Sequence, residues 1–387
     1  MRSSWIEVNL DALYHNAVYM KSLLSPGCRF LAPVKGNAYG FGLVPAAKVF
    51  AKAGADYFGV AIPEEGRELR EGGLTQPILV FGATFSDDYG LLFDYDLIPN
   101  VFRLDQAKEL SSLAVEKGKD LTIHLSVDTG LTRLGFDYTD ELPDIIEEIY
   151  RLPGLKVEGI FTMLATTELY PERTYCDWQF GRFMDLCGTL EERGVQIPIR
   201  HVCDGGGTLA FPEMHLDMAR PGTPLYGMLS GEPHSMDELQ DPLQPAIEVK
   251  TRLASVRRVP KGTKVGYGAT WEAPKESTIG VLPLGFVDGV ARLSAGRGWV
   301  LVQGVKCPII GRVCMDQMMI DLSGVPEPVF GEEVVVMGCQ NGAKIDILEA
   351  GDFALTSDTE YSCRLGRRLP IRYIGKLAEE LGLRSEA

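Results

Sequence analysis

The first two-thirds of the chain alternate short apolar runs with longer amphipathic segments, and this alternation constrains the fold more than any other feature. The apolar runs are predicted strands at Cys28–Val34, Tyr57–Ala61, Pro77–Phe81, Leu97–Phe102, Leu121–Val127, Val157–Phe161, Ile199–Cys203 and Leu216–Arg220. Helices are predicted between them at Val44–Ala55, Pro63–Gly72, Leu104–Gly118, Glu141–Arg151 and Arg173–Gly194. About eight such units in roughly 220 residues match the number and size of a (β/α)8 barrel, with a doubly wound open sheet as the competing topology.

A stretch near Gly231–Pro242 is polar and contains prolines, which is typical of a junction between domains. Beyond it, short β-rich segments separated by Gly, Pro and Asp predict an antiparallel barrel or sandwich. These segments are Ala246–Val256, Ser277–Leu282, Gly298–Val302, Cys307–Ile310, Met318–Asp321 and Glu333–Met337. We therefore predict a barrel domain over residues 1–232 and a mainly antiparallel β-domain over residues 233–387. Residues 4–8 also have the pattern of a strand, which is a candidate for the β-domain.

The charge of the chain argues against two classes of partner. Lys and Arg together number 38 and Asp and Glu 53, which gives a formal net charge of −15. A surface of that sign repels nucleic-acid backbones and anionic lipid, so neither is an expected partner. No apolar run is long enough to cross a bilayer and residues 1–8 lack a signal pattern, so we expect a cytoplasmic protein.

The cysteines and histidines do not form a metal-binding pattern. The 8 cysteines include no C-x-x-C pair, and the 5 histidines form no H-E-x-x-H motif. In a chain of this size the cysteines are interpreted as scattered buried thiols. No set of metal ligands is predicted.

Functional residues are expected directly after the predicted strands, because a barrel enzyme carries its active site at the carboxyl ends of its strands. Lys35 follows the first predicted strand in VKGNAYGFG, where partial burial favours the neutral amine that Schiff-base chemistry needs. A solvated loop lysine is the alternative. The surrounding glycines, which let a backbone approach a ligand closely, favour a functional role.

Arg133 follows the fifth predicted strand in VDTGLTRLGF, a segment that also contains Asp128. The planar guanidinium of an arginine suits a carboxylate, although spacing alone is equally compatible with a surface arginine in an ordinary turn. The sequence therefore leaves both interpretations open here.

Two glycine-containing loops follow the seventh and eighth predicted strands. They read Asp204-Gly205-Gly206-Gly207-Thr208 and Arg220-Pro221-Gly222-Thr223. Consecutive glycines expose backbone N–H groups that can hold a phosphate, and barrels frequently bind phosphate in these two loops. A flexible turn is the alternative, and the position of the loops is what favours the phosphate site.

Two motifs in the β-rich region could also carry chemistry. Tyr267 lies between glycines in VGYGATW, and GRVCMDQ places Arg312 and Asp316 among small and apolar residues. A tyrosine acts as a base only where cations or hydrogen bonds stabilise its phenolate, and more often it is an ordinary strand residue. Composition does not decide between these interpretations.

Taken in order, VKGNAYGFG, VDTGLTRLGF, RPGTPLYG, VGYGATW and GRVCMDQ resemble the signature segments of the alanine racemase family. These are pyridoxal-phosphate enzymes with a barrel followed by a β-domain. The resemblance runs from about Trp5 to Tyr373, and five segments in the right order and spacing make coincidence improbable.

The resemblance implies a role for each matching residue. Lys35 would hold pyridoxal 5′-phosphate covalently and act as one base, and Tyr267 would be the second base, reaching the site from a partner subunit. The other cofactor contacts implied or proposed are Tyr39, Asp204, Gly205, Gly206, Arg220, which would face the pyridine nitrogen, Gly222 and Thr359. On the substrate side, Arg133 and the Met315 backbone would bind the carboxylate, and Asp316 and Arg312 would line the pocket.

Several positions depart from the family pattern. Met163 stands where the family has a histidine that hydrogen-bonds toward the catalytic Tyr and Arg, which a thioether is not expected to reproduce. Ser126 replaces a lysine that orients the carboxylate-binding arginine, Phe286 replaces a channel tyrosine, and Thr359 aligns with a gate tyrosine, with Tyr361 two residues away.

Asp204 and Gly205 replace an Asn-Ser pair of the family. We hypothesise that Asp204 pairs with Arg220 and that the triple glycine cradles the phosphate.

The expected activity is racemisation of a small α-amino acid, with alanine as the default and serine or a bulkier amino acid left open. Because the proton leaves one face of the α-carbon and returns on the other, two bases are required. A homodimer is expected. The alternatives are a catalytically weakened family member that senses an amino acid or vitamin, and a decarboxylase on the same type of barrel.

Overall fold

A computed structural model describes residues 2–229, 243–366 and 368–383. The chain divides into two compact units. One consists of Leu13–Ala38 and Leu43–Gln244, and the other of Met1–Ala12, Tyr39–Gly42 and Pro245–Ala387. The predicted junction Gly231–Pro242 lies outside the described residues. The domain boundary at residue 232 therefore stays a prediction.

Parallel strands form the sheet of the first unit, and we number them one to eight in chain order. They are Arg29–Pro33, Tyr57–Val60, Ile78–Val80, Ile98–Val101, Leu121–Asp128, Leu155–Phe161, Ile199–His201 and Met218–Ala219. Each of the eight predicted strands is confirmed, with shifted ends. A short strand, Phe136–Asp137, pairs with strand five outside this order.

The sheet closes on itself. Strand eight pairs in parallel with strand one, in the register Met218 to Arg29. Strands seven and eight are joined by hydrogen bonds from Asp217 N to Arg200 O (3.1 Å) and from Arg220 N to Cys203 O (3.0 Å). The predicted barrel is therefore confirmed, and the doubly wound open sheet is wrong.

Apolar side chains fill the barrel, because strands of a parallel barrel are buried on both faces. A cluster inside the barrel contains Leu31, Tyr57, Leu79, Ile98, Ile199 and Met218, with Phe81 packed against it. This continuous apolar lining explains why the strand segments could be found from sequence as uninterrupted apolar runs.

Helices connect the strands as the alternating pattern predicts. They are Leu10–Ser22, Leu43–Lys52, Pro63–Glu71, Tyr89–Asp94, Leu104–Lys117, Leu142–Tyr150, Thr174–Glu192 and Gly205–Ala210. Short 3₁₀ turns lie at Ser86–Asp88, Thr167–Leu169, Pro212–Met214 and Thr223–Tyr226. Within the described part of the chain, none of the helices is long and apolar enough to cross a bilayer.

The second unit is built on a mostly antiparallel sheet. Its strands are Ser255–Val259, Ser277–Leu282, Met318–Asp321, Val305–Ile310, Trp299–Val302, Glu333–Gln340, Ile247–Arg252, Trp5–Asn9 and Ile371–Ile374 in spatial order, with Ala343–Ile345 beside Glu333–Gln340. Lys264–Val265 and Trp271–Glu272 form a separate hairpin. The helices are Ile347–Ala354, Asp358–Arg364 and Lys376–Glu380, and 3₁₀ turns lie at Tyr267–Ala269, Phe286–Asp288 and Arg292–Ser294.

Two details of this sheet bear on the sequence analysis. The predicted single strand Ala246–Val256 is two strands, because Leu253 N bonds to Glu332 O (2.9 Å) while Ala254 N bonds to Val281 O (2.9 Å), so the chain changes partner there. The N-terminal strand Trp5–Asn9 pairs antiparallel with Ile247–Arg252 and parallel with Ile371–Ile374. It is therefore part of the same sheet as these two strands of the β-rich unit.

Candidate active site

Lys35 stands at the carboxyl end of strand one and is half-buried. The residues that follow it form one turn of left-handed backbone: Gly36 has φ 65° and ψ 43°, Asn37 has 55° and 45°, and Ala38 has 52° and 52°. For residues other than glycine this conformation costs roughly 1–2 kcal/mol each, so the turn needs support from its surroundings. The sequence predicted only a glycine-rich loop here.

Glu65 supplies that support from the first turn of the helix Pro63–Glu71. Its Oε1 accepts hydrogen bonds from Gly36 N (2.7 Å) and Asn37 N (3.3 Å), and its Oε2 accepts from Ala61 N (2.8 Å). Hydrogen bonds from backbone N–H groups to an ionised carboxylate are stronger than those between neutral groups. One side chain therefore ties the left-handed turn behind Lys35 to the end of strand two.

Arg220 directly follows strand eight and is 5% exposed. Its Nη1 donates to His201 Nδ1 (2.7 Å), and its Nη2 donates to Thr162 O (2.9 Å) and Val202 O (2.9 Å). Burial lowers the pKa of Arg220 to about 10, so the guanidinium remains charged near neutral pH. An arginine carries five N–H hydrogens, and the hydrogen on Nε and one on Nη1 have no partner among the described residues.

Met163 contacts Arg220 through its sulfur. Nη2 of Arg220 lies 3.6 Å from Met163 Sδ, and a thioether sulfur is a weak acceptor. Both hydrogens of Nη2 are already donated to Thr162 O and Val202 O at 2.9 Å, so the sulfur contact does not replace the hydrogen bond of a histidine, and the expected loss of that bond stays a prediction.

Asp204 does not pair with Arg220, contrary to the sequence-based hypothesis. Its Oδ1 accepts from Gly207 N (2.8 Å), which caps the helix Gly205–Ala210, and its Oδ2 accepts from Thr167 Oγ1 (2.9 Å). Both oxygens are thus engaged locally, since aspartate is a preferred residue before the first turn of a helix. Asp204 acts on Arg220 only at longer range, where its charge raises the pKa of Arg220 against the larger effect of burial.

The glycine loops after strands seven and eight lie against each other. A Cβ on Gly205 would be 2.5 Å from Pro224 Cδ and 3.4 Å from Gly222 N, and a Cβ on Gly206 would be 2.9 Å from Thr167 Oγ1. Side chains are excluded there, so both positions require glycine. The N–H groups of Gly205 and Gly206 lie in the first turn of their helix, where backbone donors have no intrahelical partner.

Arg133 is exposed on the loop after strand five. Asp128 fixes this loop: its Oδ1 accepts from Gly130 N (2.9 Å) and Thr132 N (3.0 Å), and its Oδ2 accepts from Arg133 N (3.1 Å). The guanidinium of Arg133 itself forms no ion pair with the described residues. Its charge does lower the pKa of Arg220, behind the larger contribution of burial.

Ser126 lies on strand five in the barrel interior. Its Oγ is buried and has no hydrogen-bond partner among the described residues. The position expected to orient Arg133 therefore holds a short hydroxyl without a bond to it.

In the second unit, Tyr267 is 72% exposed on the turn Tyr267–Ala269. Gly266 (φ 75°) and Gly268 (φ 76°) flank it with left-handed backbone, and a Cβ on Gly268 would lie 3.1 Å from Arg312 Nη1. These glycines let the turn form with Arg312 packed beneath it. Met315 is also exposed, at 56%.

Asp316 belongs to a charged network that the sequence did not reveal. Arg368 Nη1 lies 2.8 Å from Asp316 Oδ1, and the same guanidinium donates to both oxygens of Asp288 at 3.0 and 3.1 Å. Arg2 donates to Asp288 Oδ1 at 2.7 Å. Burial alone would raise the pKa of Asp288, and the bonds from Arg368 and Arg2 lower it below its ordinary value.

The two gate candidates differ in exposure. Tyr361 is 4% exposed, and burial raises its pKa to about 12, whereas Thr359 is half-buried. Both lie on the helix Asp358–Arg364, which the segment after Tyr39 approaches closely: a Cβ on Gly40 would be 2.4 Å from Ser362 O. Thr359 therefore stays the predicted gate residue. Phe286, the predicted channel residue, is 43% exposed.

The predicted site residues fall into two sets. Lys35, Arg133, Asp204, Gly205, Gly206, Arg220 and Gly222 follow strands of the barrel, and Tyr39, Tyr267, Met315, Asp316 and Thr359 belong to the β-rich unit. Glu65, His201 and Arg368 were missed, because each acts through a contact far away in sequence. Among the described residues, no group of three or more His, Cys, Asp or Glu side chains could hold a metal ion.

The fold and these residues define a class of protein: a (β/α)8 barrel enzyme with a lysine at the end of strand one and an arginine after strand eight, joined to an antiparallel β-domain. The family model of the alanine racemase N-terminal domain matches residues 8–230, and that of the C-terminal domain matches residues 246–373.

Known proteins agree with this assignment. An alanine racemase of Desulforamulus reducens is 40% identical over 96% of this chain and 99% of its own length. Among solved structures, an alanine racemase of Clostridium difficile has a TM-score of 0.92 at 29% identity and covers 97% of each chain. One from Bacillus anthracis with bound L-Ala-P has a TM-score of 0.91 at 31% identity, covering 97% of this chain and 96% of its own. The chain belongs to the alanine racemase family.

Replacing Glu65 with leucine is expected to loosen the left-handed turn, because it removes the acceptor for Gly36 N and Asn37 N. Glu65→Leu should increase hydrogen exchange at these two amides and lower activity roughly 10- to 100-fold, as loss of an orienting partner does. Glu68→Leu on the exposed face of the same helix is the control. Unchanged exchange and activity in Glu65→Leu would show that the turn does not depend on this carboxylate.

Proposed function

We propose that the protein racemises alanine with pyridoxal 5′-phosphate as its cofactor. The observation that carries the proposal is Lys35, held on a supported left-handed turn at the end of strand one in the same barrel as Arg220. In a barrel this is the rim at which active sites are built. Membership of the alanine racemase family supplies the reaction.

The residues of the barrel fit the cofactor. Its aldehyde needs an amine, which Lys35 offers, and its phosphate needs clustered N–H donors, which Gly205, Gly206 and Gly222 can present without side chains. Its pyridine nitrogen needs a polar partner in an apolar barrel, and Arg220 has N–H groups left for it. When bound, pyridoxal 5′-phosphate supplies the electron sink that stabilises the deprotonated α-carbon. Tyr39, Asp204 and Thr359 are further proposed contacts.

Arg220 would determine whether a pyridine nitrogen placed beside it is protonated. A guanidinium is a permanent donor, so it can bond to the nitrogen only while the nitrogen keeps its lone pair. A carboxylate in the same place would instead favour a protonated ring. Beside a bound cofactor, Arg220 would therefore limit proton uptake by the ring, which is expected to restrict side reactions such as transamination.

Two side chains are proposed to move the proton. Lys35 would hold or remove it at one face of the α-carbon, and Tyr267 at the other. Arg133 would orient the substrate, because its unpaired guanidinium can form two parallel hydrogen bonds with a carboxylate. The Met315 backbone and Asp316, fixed by Arg368, are proposed to complete the substrate side.

The substrate is proposed to be small. The relative from Bacillus anthracis holds L-Ala-P, and a structure of the Clostridium difficile enzyme, 28% identical with a TM-score of 0.90, is a complex with cycloserine. Thr359 in place of a gate tyrosine would enlarge the pocket, which keeps serine or a bulkier amino acid as a second substrate.

The protein is further proposed to act in the cytoplasm as a homodimer, with each site taking Tyr267 from the partner subunit. The exposure of Tyr267 and Met315 in this single chain supports a surface that a second copy would cover.

The attachment of the cofactor can be tested directly. Borohydride reduction of the protein with pyridoxal 5′-phosphate should fix the cofactor on Lys35, as peptide mass spectrometry would detect, and Lys35→Ala should lose both the label and racemisation. Lys52→Ala, on the exposed end of the helix Leu43–Lys52, should retain both. Labelling of another lysine in place of Lys35 would contradict the assignment.

The role of Tyr267 predicts an asymmetric defect. Tyr267→Phe removes the hydroxyl alone, so racemisation should fall roughly 10²- to 10⁴-fold, the usual contribution of a general base. Exchange of the α-proton with deuterated solvent should persist from one alanine enantiomer and be lost from the other. Tyr150→Phe, a partly exposed tyrosine elsewhere, is the control. An equal loss of exchange from both enantiomers, or no loss, would exclude Tyr267 as a base that acts on a single face. If the unaltered protein exchanged the α-proton of no amino acid at all, the alternative of a catalytically weakened family member that senses an amino acid or vitamin would be favoured.

Sharing of sites between subunits can be tested by mixing two inactive variants. Dimers that combine Lys35→Ala with Tyr267→Phe would carry one site with neither residue and one site with both. Random co-assembly should therefore restore about a quarter of the sites, since half of the dimers are mixed. If Lys35 and Tyr267 of one site came from the same chain, mixing would restore no activity, provided that mass spectrometry confirms the mixed dimer.

A further inference from the structure

A continuous row of polar side chains runs through the barrel to Arg220. Glu158 Oε2 lies 3.2 Å from His124 Nε2, His124 Nδ1 lies 3.0 Å from His201 Nε2, and His201 Nδ1 lies 2.7 Å from Arg220 Nη1. The two histidines are fully buried, and Glu158 is partly exposed at the other end. We call these four residues the polar row. Tyr57 borders it by donating to Glu158 Oε2 at 3.2 Å.

Strand geometry explains why the row is continuous. His124, Glu158 and His201 lie on strands five, six and seven, and Arg220 follows strand eight. Neighbouring strands place inward side chains side by side, so the members touch although they are far apart in sequence. The space for the His124 ring is left by Gly159, where a Cβ would lie 2.4 Å from the imidazole.

The hydrogen positions in the row follow from the chemistry of its last member. An arginine can only donate, so His201 Nδ1 must accept and the hydrogen of His201 must sit on Nε2. His124 Nδ1 then has to accept from His201, which places the hydrogen of His124 on Nε2. That hydrogen points to Glu158, whose carboxylate is an acceptor. Only this arrangement of the histidine hydrogens gives each of the three contacts one donor and one acceptor.

The surroundings keep the row in that arrangement. Burial lowers the pKa of both histidines, so they remain neutral, and nearby Arg220 acts in the same direction. The hydrogen bond from His124 lowers the pKa of Glu158, so this carboxyl remains an ionised acceptor. A protonated histidine or a second tautomer would set a donor against a donor inside an apolar barrel, which is costly for buried groups.

We propose that Glu158 is a positioning residue for the reaction: through His124 and His201 it fixes which N–H groups of Arg220 remain for the pyridine nitrogen of the cofactor. The proposal rests on the proposed function of Arg220. Without an acceptor at residue 158, the Nε2 hydrogen of His124 would be buried without a partner, and Arg220 alone would be left to hold the donor order against the reversed tautomers. The reversed tautomers would then place the His201 Nδ1 hydrogen against Arg220 Nη1, and the guanidinium would have to turn.

A row that merely stabilises the barrel would not transmit this change. Loss of Glu158 would then lower the free energy of unfolding but leave the His201 tautomer and the cofactor spectrum as they are. The tautomer and the spectrum therefore separate positioning from stability.

The test uses holoenzyme labelled with ¹⁵N-histidine, because two-bond ¹⁵N–¹H correlation spectra report the tautomer of each ring. Unaltered protein should show His124 and His201 with hydrogen on Nε2. Glu158→Leu should shift His201 toward the Nδ1 form, change the absorption of the bound cofactor and lower kcat roughly 10- to 100-fold, with a smaller effect on KM. Glu158→Gln, whose amide oxygen can still accept, should restore the unaltered tautomers.

Tyr57→Phe is the matched control, because it removes the other bond to Glu158 and leaves the path to Arg220 intact. It should keep the tautomers and the spectrum. If His201 carried its hydrogen on Nδ1 in unaltered holoenzyme, the proposed order of donors and acceptors in the polar row would be overturned. This measurement does not depend on whether Glu158→Leu folds. Unchanged tautomer and spectrum in folded Glu158→Leu would overturn the positioning role. Absence of a Lys35-linked cofactor in unaltered protein would instead overturn the proposed function.

Discussion

Pairing of the last barrel strand with the first is the constraint on which the candidate site depends. Met218 and Arg29 are almost 200 residues apart, yet their register closes the sheet and brings the segments after both strands to the same rim. Lys35 follows strand one and Arg220 follows strand eight, so the amine of Lys35 and the guanidinium of Arg220 lie at the same end of the barrel. A doubly wound open sheet, with its strand order 3-2-1-4-5-6, would not have paired the last strand with the first.

Support for the site comes from carboxylates that face backbone rather than substrate. Glu65 holds the turn behind Lys35, Asp128 holds the loop of Arg133, and Asp204 caps the triple-glycine helix. Each uses its carboxylate oxygens to accept hydrogen bonds from amides that would otherwise be strained or unpaired. The functional side chains are left with their own polar groups available, as the guanidinium of Arg133 illustrates.

The sequence predicted what local pattern and motif order determine. The eight barrel strands followed from uninterrupted apolar runs, and the segments VKGNAYGFG to GRVCMDQ led to the family. The sequence did not predict the partner of Asp204. Its side chain caps the helix that begins at the next residue, and this local hydrogen bond is formed in place of an ion pair with the more distant Arg220. Glu65 and the polar row were missed because their contacts depend on strand neighbours, which no spacing along the chain encodes.

The N-terminal strand has a further consequence for how the chain reaches its native state. Among the described residues, Trp5–Asn9 pairs with Ile247–Arg252 and Ile371–Ile374, both far away in sequence, so its pairing has very high contact order. At a synthesis rate of about 5–20 residues per second, this segment remains without its second partner strand, Ile371–Ile374, for tens of seconds until that strand has been translated. The barrel strands can meet earlier. Nascent chains of this protein should therefore rely on chaperones that shield an early, unmatched β-segment while the rest is translated.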